Sequence, residues 1–143
     1  MIAVFLDSNV FLDALLQRND FKEAGAILQL SEKAELKINT TPSCLLNVIY
    51  FLQKAGIPHK DVVQILAELL EPVSFVPTNK DIFLKAIHAE FTDIEDVVQY
   101  FSALSVTNMD YFITSNIKDF KKASSQLPVV SPKQFMKLQL KGK

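Results

Sequence analysis

Short apolar segments alternate with amphipathic helical segments along this chain, and this alternation constrains the fold more than any other feature. Ile2–Leu6 is wholly apolar, as expected of a strand that is buried on both faces. Four further strands are predicted at Leu36–Asn39, Val73–Val76, Tyr111–Thr114 and Val129–Val130. Strands that alternate with helices predict an α/β fold, with a parallel, doubly wound sheet and helices on both faces. We expect one domain over residues 1–143, with no linker or repeat.

Helices are predicted where apolar residues recur at helical spacing behind a capping residue. The predicted starts and bodies are Asp7-Ser8-Asn9 followed by Val10, then Phe21–Lys33, Thr41-Pro42 before Ser43–Lys54, His59–Leu70, Thr78-x-x-Asp81 to about Ala89, Thr92-Asp93-Ile94-Glu95 to about Val106, and Ser131-Pro132-Lys133-Gln134 before the last helix. Each helix lies between or after the predicted strands, as a doubly wound sheet requires.

Several classes of site are excluded by residues that the chain lacks. The single cysteine, Cys44, excludes an internal disulfide and a cysteine-based zinc site. The two histidines, His59 and His88, are too far apart for a zinc motif of the HExxH type. With three glycines, the chain has no Walker loop, dinucleotide loop or nucleophile elbow. An enzyme made from the remaining residues would work with carboxylates and a hard metal ion.

The composition is that of an ordinary globular protein, with 49% hydrophobic and 22% charged residues. No apolar run reaches the length of a membrane span, and the N-terminus has no basic leader. We therefore expect a cytoplasmic protein with no export signal and no membrane attachment.

Charge is distributed unevenly along the chain. Residues 1–117 carry eight basic and fifteen acidic side chains, whereas residues 118–143 carry seven lysines against Asp119 alone. A basic end on an acidic body can attract the phosphates of a nucleic acid or an acidic partner segment. A solvated, lysine-rich terminus with no partner explains the same pattern equally well.

Acidic residues follow the predicted strands at positions where a parallel sheet binds its ligands, near the point where the strand order reverses. Asp7 directly follows the first strand, and Asp119 lies just beyond the fourth. Asp93 and Asp96 start the intervening helix, where they lie about 60° apart, while Glu95 points about 160° away from Asp93.

Converging carboxylates repel one another unless a cation offsets their charge, and Mg²⁺ prefers oxygen ligands. Such an ion suits metal-assisted phosphodiester hydrolysis. Each acid also has a purely structural alternative: a helix cap for Asp7, a favourable helix N-terminus for Asp93, and a solvated turn for Asp119. Spacing alone leaves both interpretations open.

Three ordered segments resemble the PIN domain family, in particular a subgroup with D-x-E-D-x-x-Q and T-x-N-x-x-D-F motifs. The segments are Leu6-Asp7-Ser8-Asn9-Val10, Asp93-Ile94-Glu95-Asp96-Val97-Val98-Gln99-Tyr100 and Asp110-Tyr111-Phe112-Ile113-Thr114-Ser115-Asn116-Ile117-Lys118-Asp119-Phe120. The similarity extends over nearly the whole chain, to the Ser131-Pro132-x-x-Phe135 ending. It implies a three-layer α/β/α fold around a parallel five-stranded sheet.

The resemblance also implies a function, because PIN domains are Mg²⁺- or Mn²⁺-dependent ribonucleases. Many bacterial members are toxins of toxin–antitoxin pairs, are inhibited by a partner antitoxin, and are commonly dimeric. The roles implied are metal ligation by Asp7, Asp96 and Asp119, an additional acid at Asp93, and support from Ser8, Asn9 and Asn116. In the resulting hypothesis of a ribonuclease, the basic side chains near Asp119 would contact the RNA backbone, namely Lys118, Lys121 and Lys122.

One position departs from the family. Many members carry a glutamate on the third helix where this chain has Asn47, which interrupts an otherwise apolar stretch. A buried amide needs partners, and either a polar pocket or a hydrogen bond within the core would supply them. Loss of that carboxylate should weaken a second metal site. The alternative hypothesis is therefore a catalytically weakened PIN fold that acts as a nucleic-acid- or protein-binding module.

A third hypothesis is a phosphoaspartyl protein. Haloacid dehalogenase-like phosphatases place a second aspartate two residues after the first, where this chain has Asn9. Receiver domains use an acidic pair near the first strand, and Asp7 has no acidic neighbour. This hypothesis therefore ranks last. Asp13 and Arg18 are expected to form an ordinary surface or supporting ion pair.

Overall fold

The computed structural model describes residues 1–90, 93–120 and 126–141. In chain order the elements are β1 (Ala3–Leu6), α1 (Ser8–Leu16), α2 (Phe21–Glu32), β2 (Lys37–Thr40), α3 (Pro42–Lys54), α4 (His59–Leu70), β3 (Val73–Phe75), α5 (Lys80–Ile87), α6 (Ile94–Leu104), β4 (Tyr111–Ile113), a 3₁₀ helix (Ile117–Phe120), β5 (Val129–Val130) and α7 (Pro132–Lys141). The short 3₁₀ helix is the one element of the described ranges that the sequence did not predict.

The strands form one parallel sheet in the order β3-β2-β1-β4-β5. From β1 the chain proceeds outward to β2 and β3, then returns to the other side of β1 for β4 and β5. The predicted parallel, doubly wound, five-stranded sheet is therefore confirmed. The strand order reverses between β1 and β4, where α/β sheets open a crevice at the carboxyl ends of the strands.

The sheet is buried on both faces, as the apolar composition of β1 requires. Val4 and Leu6 pack on one side among residues of α1 to α4 and α7. Phe5 points to the opposite side, where its ring stacks on that of Phe112 with centroids 5.0 Å apart. Tyr100 of α6 packs against Phe112 from outside the sheet, with ring centroids 5.3 Å apart. Because successive side chains of β1 point to opposite faces, the strand contacts both layers of helices, and these contacts fix the position of its end.

Two predicted helix starts are confirmed with their caps. The Thr41 hydroxyl accepts the backbone N–H of Cys44 at 3.1 Å, and Pro42 occupies the first turn of α3. At α7, Ser131 Oγ accepts the N–H of Gln134 at 3.1 Å, while Gln134 Oε1 accepts the N–H of Ser131 at 3.0 Å. This reciprocal pair is a capping box.

Two other predicted starts were wrong by one residue. Helix α5 is capped by Asn79, which accepts the N–H of Ile82, because the Thr78 hydroxyl is engaged with Ser102 Oγ at 2.7 Å. Helix α6 is capped by Asp93, and Thr92 lies outside the described residues. Among the helices of the described ranges, none is long and apolar enough to span a bilayer.

Candidate metal centre

The candidate site lies at the carboxyl ends of β1 and β4, the central strands between which the strand order reverses. The Asp7 N–H donates to the carbonyl of Ile113 at 3.0 Å, which continues the pairing of the two strands by one residue. Asp7 and Thr114, the residues that follow the strands, are therefore neighbours at this edge. Both are almost entirely buried.

Asp7 is a buried carboxylate surrounded by neutral donors. Its side chain is 5% exposed, and Oδ1 accepts the N–H of Ser8 at 2.8 Å. Oδ2 accepts from Thr114 Oγ1 at 3.0 Å and from Asn9 Nδ2 at 3.4 Å. Burial raises the pKa of Asp7 from its ordinary 3.8 to about 6, despite the hydrogen bonds that favour the charged form. Within the described residues, no lysine or arginine forms an ion pair with it.

The other three predicted acids interact with one another around the start of α6. Asp93 Oδ1 caps α6 by accepting the N–H of Asp96 at 3.2 Å. Burial, the charges of Asp7 and Asp93, and a hydrogen bond to Asp119 together raise the pKa of Asp96 from its ordinary 3.8 to about 7. Asn116 Nδ2 donates to Asp119 Oδ2 at 2.8 Å. The structure therefore brings together all four predicted aspartates and the predicted Asn116.

A hydrogen-bond network joins the ends of β1 and β4 and fixes the predicted supporting residue Asn9. Asn9 Nδ2 donates to Thr114 Oγ1 at 3.2 Å, and Asn9 Oδ1 accepts the N–H of Ser115 at 3.0 Å. Thr114 Oγ1 also accepts the N–H of Asn116 at 3.1 Å. Thr114 is fully buried and was missing from the predicted site, although it begins the T-x-N-x-x-D-F segment that could have revealed it.

Asn47 and Glu95 meet on the α3 side of the site. Asn47 Nδ2 donates to Ser8 Oγ at 3.3 Å and to Glu95 Oε1 at 3.2 Å. The amide is thus satisfied in a polar pocket and not within the core. The charge of Glu95 also raises the pKa of Asp7, so Glu95 lies within electrostatic reach of that carboxylate.

The donor chemistry of the site fits a hard divalent cation. Its side chains offer carboxylate, amide and hydroxyl oxygens, the ligands that Mg²⁺ and Mn²⁺ prefer. The carboxyl groups of Asp96 and Asp119 share a hydrogen bond, so one of the two must be protonated. A bound cation would take the place of that proton. Within the described ranges, no three histidine, cysteine, aspartate or glutamate side chains are already positioned around a single ion.

Cys44 borders the site but remains a thiol. It is 2% exposed, and its Sγ lies 3.9 Å from Asp7 Oδ1. Burial first, and the neighbouring Asp7 charge second, raise the pKa of this thiol to about 12. It therefore packs as a small apolar side chain and supplies no thiolate ligand.

A family model described as the PIN domain matches residues 3–118, which is most of the chain and includes Asp7, Asp93, Asp96 and Asn116 but ends one residue before Asp119. The chain belongs to the PIN domain family. No curated protein sequence matches this PIN domain.

One solved structure with a similar fold is the crystal structure of VapBC2 from Rickettsia felis bound to a DNA fragment from their promoter. The superposition has a TM-score of 0.64 and covers 91% of this chain and 98% of the other. The sequences are 16% identical, so the likeness is one of fold. The three-layer architecture predicted for the PIN domain is confirmed.

The predicted RNA-backbone lysines flank the acidic site in sequence. Lys118 is exposed in the 3₁₀ helix, directly before Asp119. Lys121 and Lys122 lie outside the described residues. The structure of this PIN domain therefore describes one of the three predicted lysines, next in sequence to Asp119.

Asp13 of α1 is bonded to the turn that follows β4, in agreement with the supporting alternative that the sequence left open for its ion pair. The predicted ion pair with Arg18 is present, with 3.3 Å between Arg18 Nε and Asp13 Oδ1, but the carboxylate is fully buried and not at the surface. Asp13 Oδ1 accepts from Asn19 Nδ2 at 3.1 Å, and Oδ2 accepts from Ser115 Oγ at 2.6 Å. Because Ser115 also binds Asn9, Asp13 holds the turn that follows β4.

Replacing Asp13 with asparagine should therefore destabilise the protein by about 2 kcal/mol, a typical contribution of hydrogen bonds to a charged group. Urea-induced unfolding gives the change in free energy directly. The matched control is Asp20→Asn, since Asp20 begins α2 without a side-chain hydrogen bond to the helix and should change stability by less than about 0.5 kcal/mol. Equal stabilities of the two variants would contradict a supporting role for Asp13.

Proposed function

We propose that this PIN domain is a Mg²⁺- or Mn²⁺-dependent endoribonuclease that hydrolyses RNA phosphodiester bonds, and that it acts as the toxin of a toxin–antitoxin pair. The observation that carries the proposal is the convergence of Asp7, Asp93, Asp96 and Asp119 at the strand-order reversal. Membership of the PIN domain family supports the nuclease class. Acids from three chain segments interact with Asp96, and a cation bound among them would relieve their repulsion.

Metal ligation is assigned to Asp7, Asp96 and Asp119, with Asp93 and Asn116 assisting. A divalent ion bound there would polarise a phosphoryl oxygen and lower the pKa of a water molecule, so that a nucleophile is available at neutral pH. The protein residues supply position: Thr114 and Ser8 hold both oxygens of Asp7, and Asn116 holds Asp119. The supporting group further includes Asn9 and Asn47.

Binding of the RNA backbone is assigned to Lys118, Lys121 and Lys122. Each lysine that neutralises a phosphate releases a counterion, so RNA affinity should decrease as the salt concentration rises. The lysines follow the acidic segment in sequence, which would place the scissile phosphate between positive charge and the carboxylates.

An antitoxin protein and a second copy of this chain are proposed as partners. The likeness in fold to a chain of the VapBC2 structure supports the antitoxin partner. Exposed apolar side chains support protein contacts, among them Leu46, Tyr50, Phe83 and Ile87, each more than half exposed. A short upstream reading frame with a DNA-binding pattern would add support for the toxin role.

The direct test is cleavage of single-stranded RNA by the purified protein with Mn²⁺ or Mg²⁺, and again with excess EDTA. We expect cleavage that depends on the metal and is lost with EDTA, because the site contains no other group suited to the chemistry. Calorimetric titration with Mn²⁺ should show binding to the same protein. If neither cleavage nor metal binding is detected, the alternative hypothesis of a non-catalytic PIN module that binds nucleic acid or protein would be favoured.

A further inference from the structure

We propose that Glu95 is a further metal-ligating carboxylate of this site, on its α3 side, and that Asn47 is the positioning residue that holds it there. This inference rests on the proposed function, since it concerns the same divalent ion. It assigns a role to an acidic side chain that the proposed function leaves without one. It also gives Asn47 a role other than that of a lost ligand.

The contacts connect Glu95 to Asp7 through two side chains. Asn47 Nδ2 has two hydrogens and donates them to Glu95 Oε1 and Ser8 Oγ, at 3.2 and 3.3 Å. The backbone N–H of the same Ser8 donates to Asp7 Oδ1 at 2.8 Å. The donors of the amide are therefore both used, one of them to fix the direction of the Glu95 carboxylate.

The first turn of α6 directs two acids to different neighbours. Glu95 and Asp96 are consecutive helical residues, so their side chains leave the helix about 100° apart. Asp96 contacts Asp119, whereas Glu95 contacts Asn47 of α3. The charge of Glu95 raises the pKa of Asp7, and the charge of Asp7 raises that of Asp96, so both acids lie within electrostatic reach of Asp7.

Residues 47 and 95 form a complementary pair. A glutamate at position 47 would set a second negative charge against Glu95 and close to Asp7, which is unfavourable without a cation. The amide of Asn47 instead donates to the Glu95 carboxylate and stabilises its charged form. On the α3 side of the site, the carboxylate is therefore supplied by Glu95 of α6. In a chain with a glutamate at position 47, α3 would supply it instead.

The pair can be tested by moving the carboxylate from one position to the other. We expect Glu95→Gln to weaken Mn²⁺ binding at least about tenfold, the lower end of what loss of an outer-shell partner causes. The double variant Asn47→Glu with Glu95→Gln should restore the affinity to within about threefold of the original protein, because the carboxylate returns to the same side of Asp7. Calorimetric titration with Mn²⁺ alone measures both, without any need for RNA cleavage.

Thermal unfolding in EDTA provides a second measurement. Asn47→Glu alone should lower the melting temperature, because it adds a like charge beside Glu95, whereas the double variant should not. The matched control is Glu71→Gln at the end of α4, which precedes the amino end of β3, on the opposite edge of the sheet. It makes the same chemical change and should leave Mn²⁺ affinity unchanged.

Each possible result supports or contradicts a stated claim. If Glu95→Gln binds Mn²⁺ as tightly as the original protein while Asp96→Asn does not, the role of Glu95 is wrong and the proposed metal site stands. If the double variant binds as weakly as Glu95→Gln, Asn47 and Glu95 are not interchangeable and the positioning role is wrong. If the original protein binds no Mn²⁺, the proposed function is wrong, and this inference with it.

Discussion

Asp96→Asn should reduce metal-dependent RNA cleavage at least about 100-fold, since loss of an outer-shell group alone costs 10- to 100-fold. Asp96 is the acid on which the charges of Asp7, Asp93 and Asp119 converge. Asparagine has nearly the same shape but no charge, so it removes the attraction for a cation while keeping the side-chain volume. Single-turnover cleavage of a labelled single-stranded RNA with Mn²⁺ measures the rate.

The control for this prediction is Asp20→Asn. Asp20 precedes α2, is not one of the residues assigned to the candidate centre, and makes no side-chain cap hydrogen bond. It should cleave RNA at the original rate, and circular dichroism should show that both variants are folded. Equal cleavage by Asp96→Asn and the original protein would mean that the activity belongs to another site or to a contaminating nuclease.

In EDTA, the protein should become more stable as the pH is lowered from about 8 to about 5. The pKa values of Asp7 and Asp96 are raised in the folded protein to about 6 and about 7, against 3.8 ordinarily. Between these values the folded state binds more protons than the unfolded state, so stability is lost as the pH rises through them. For the buried Asp7 alone, the difference between the folded and unfolded pKa values corresponds to a loss of about 3 kcal/mol in the free energy of unfolding at high pH.

Urea-induced unfolding at a series of pH values measures this dependence. Asp96→Asn should reduce the slope and raise the melting temperature in EDTA at about pH 8 by roughly 2–4 °C, because it removes one of the repelling charges. Saturating Mn²⁺ should stabilise the original protein at that pH by about 2–3 kcal/mol at 100 times its dissociation constant. A stability that is constant or rises between about pH 5 and pH 8 in EDTA would contradict the raised pKa values.

Much of the fold could be predicted from the sequence because its local signals agree with one another. The wholly apolar β1 requires burial on both faces, and the Thr41-Pro42 and Ser131-to-Gln134 caps place α3 and α7 correctly. Once the order of strands and helices is known, Asp7 and Asp119 fall at the carboxyl edge of the sheet without any knowledge of side-chain contacts. The convergence of the four aspartates was predicted on that basis.

The remaining features depend on contacts between distant residues. The burial of Asp13 depends on Ser115, which is far along the chain, and the cap of α5 depends on Thr78 being engaged by α6. The contact of Glu95 with Asn47 joins two helices that are separated by about forty residues of chain. A pattern within one segment carries no information about which partner a side chain meets, so these features required the tertiary structure.

Because Asp7 and Asp93 are both N-caps, part of the candidate centre is assembled when helices α1 and α6 form. Each side chain accepts a backbone N–H of the helix that it begins, so it is oriented as soon as that helix forms. Two of the carboxylates are therefore already directed when an ion arrives, and the remaining ligands have to adjust to it. This partial preorganisation should reduce the entropy lost on binding. Alanine at either position would disturb a helix as well as remove a charge, whereas asparagine keeps a capping oxygen and isolates the electrostatic effect.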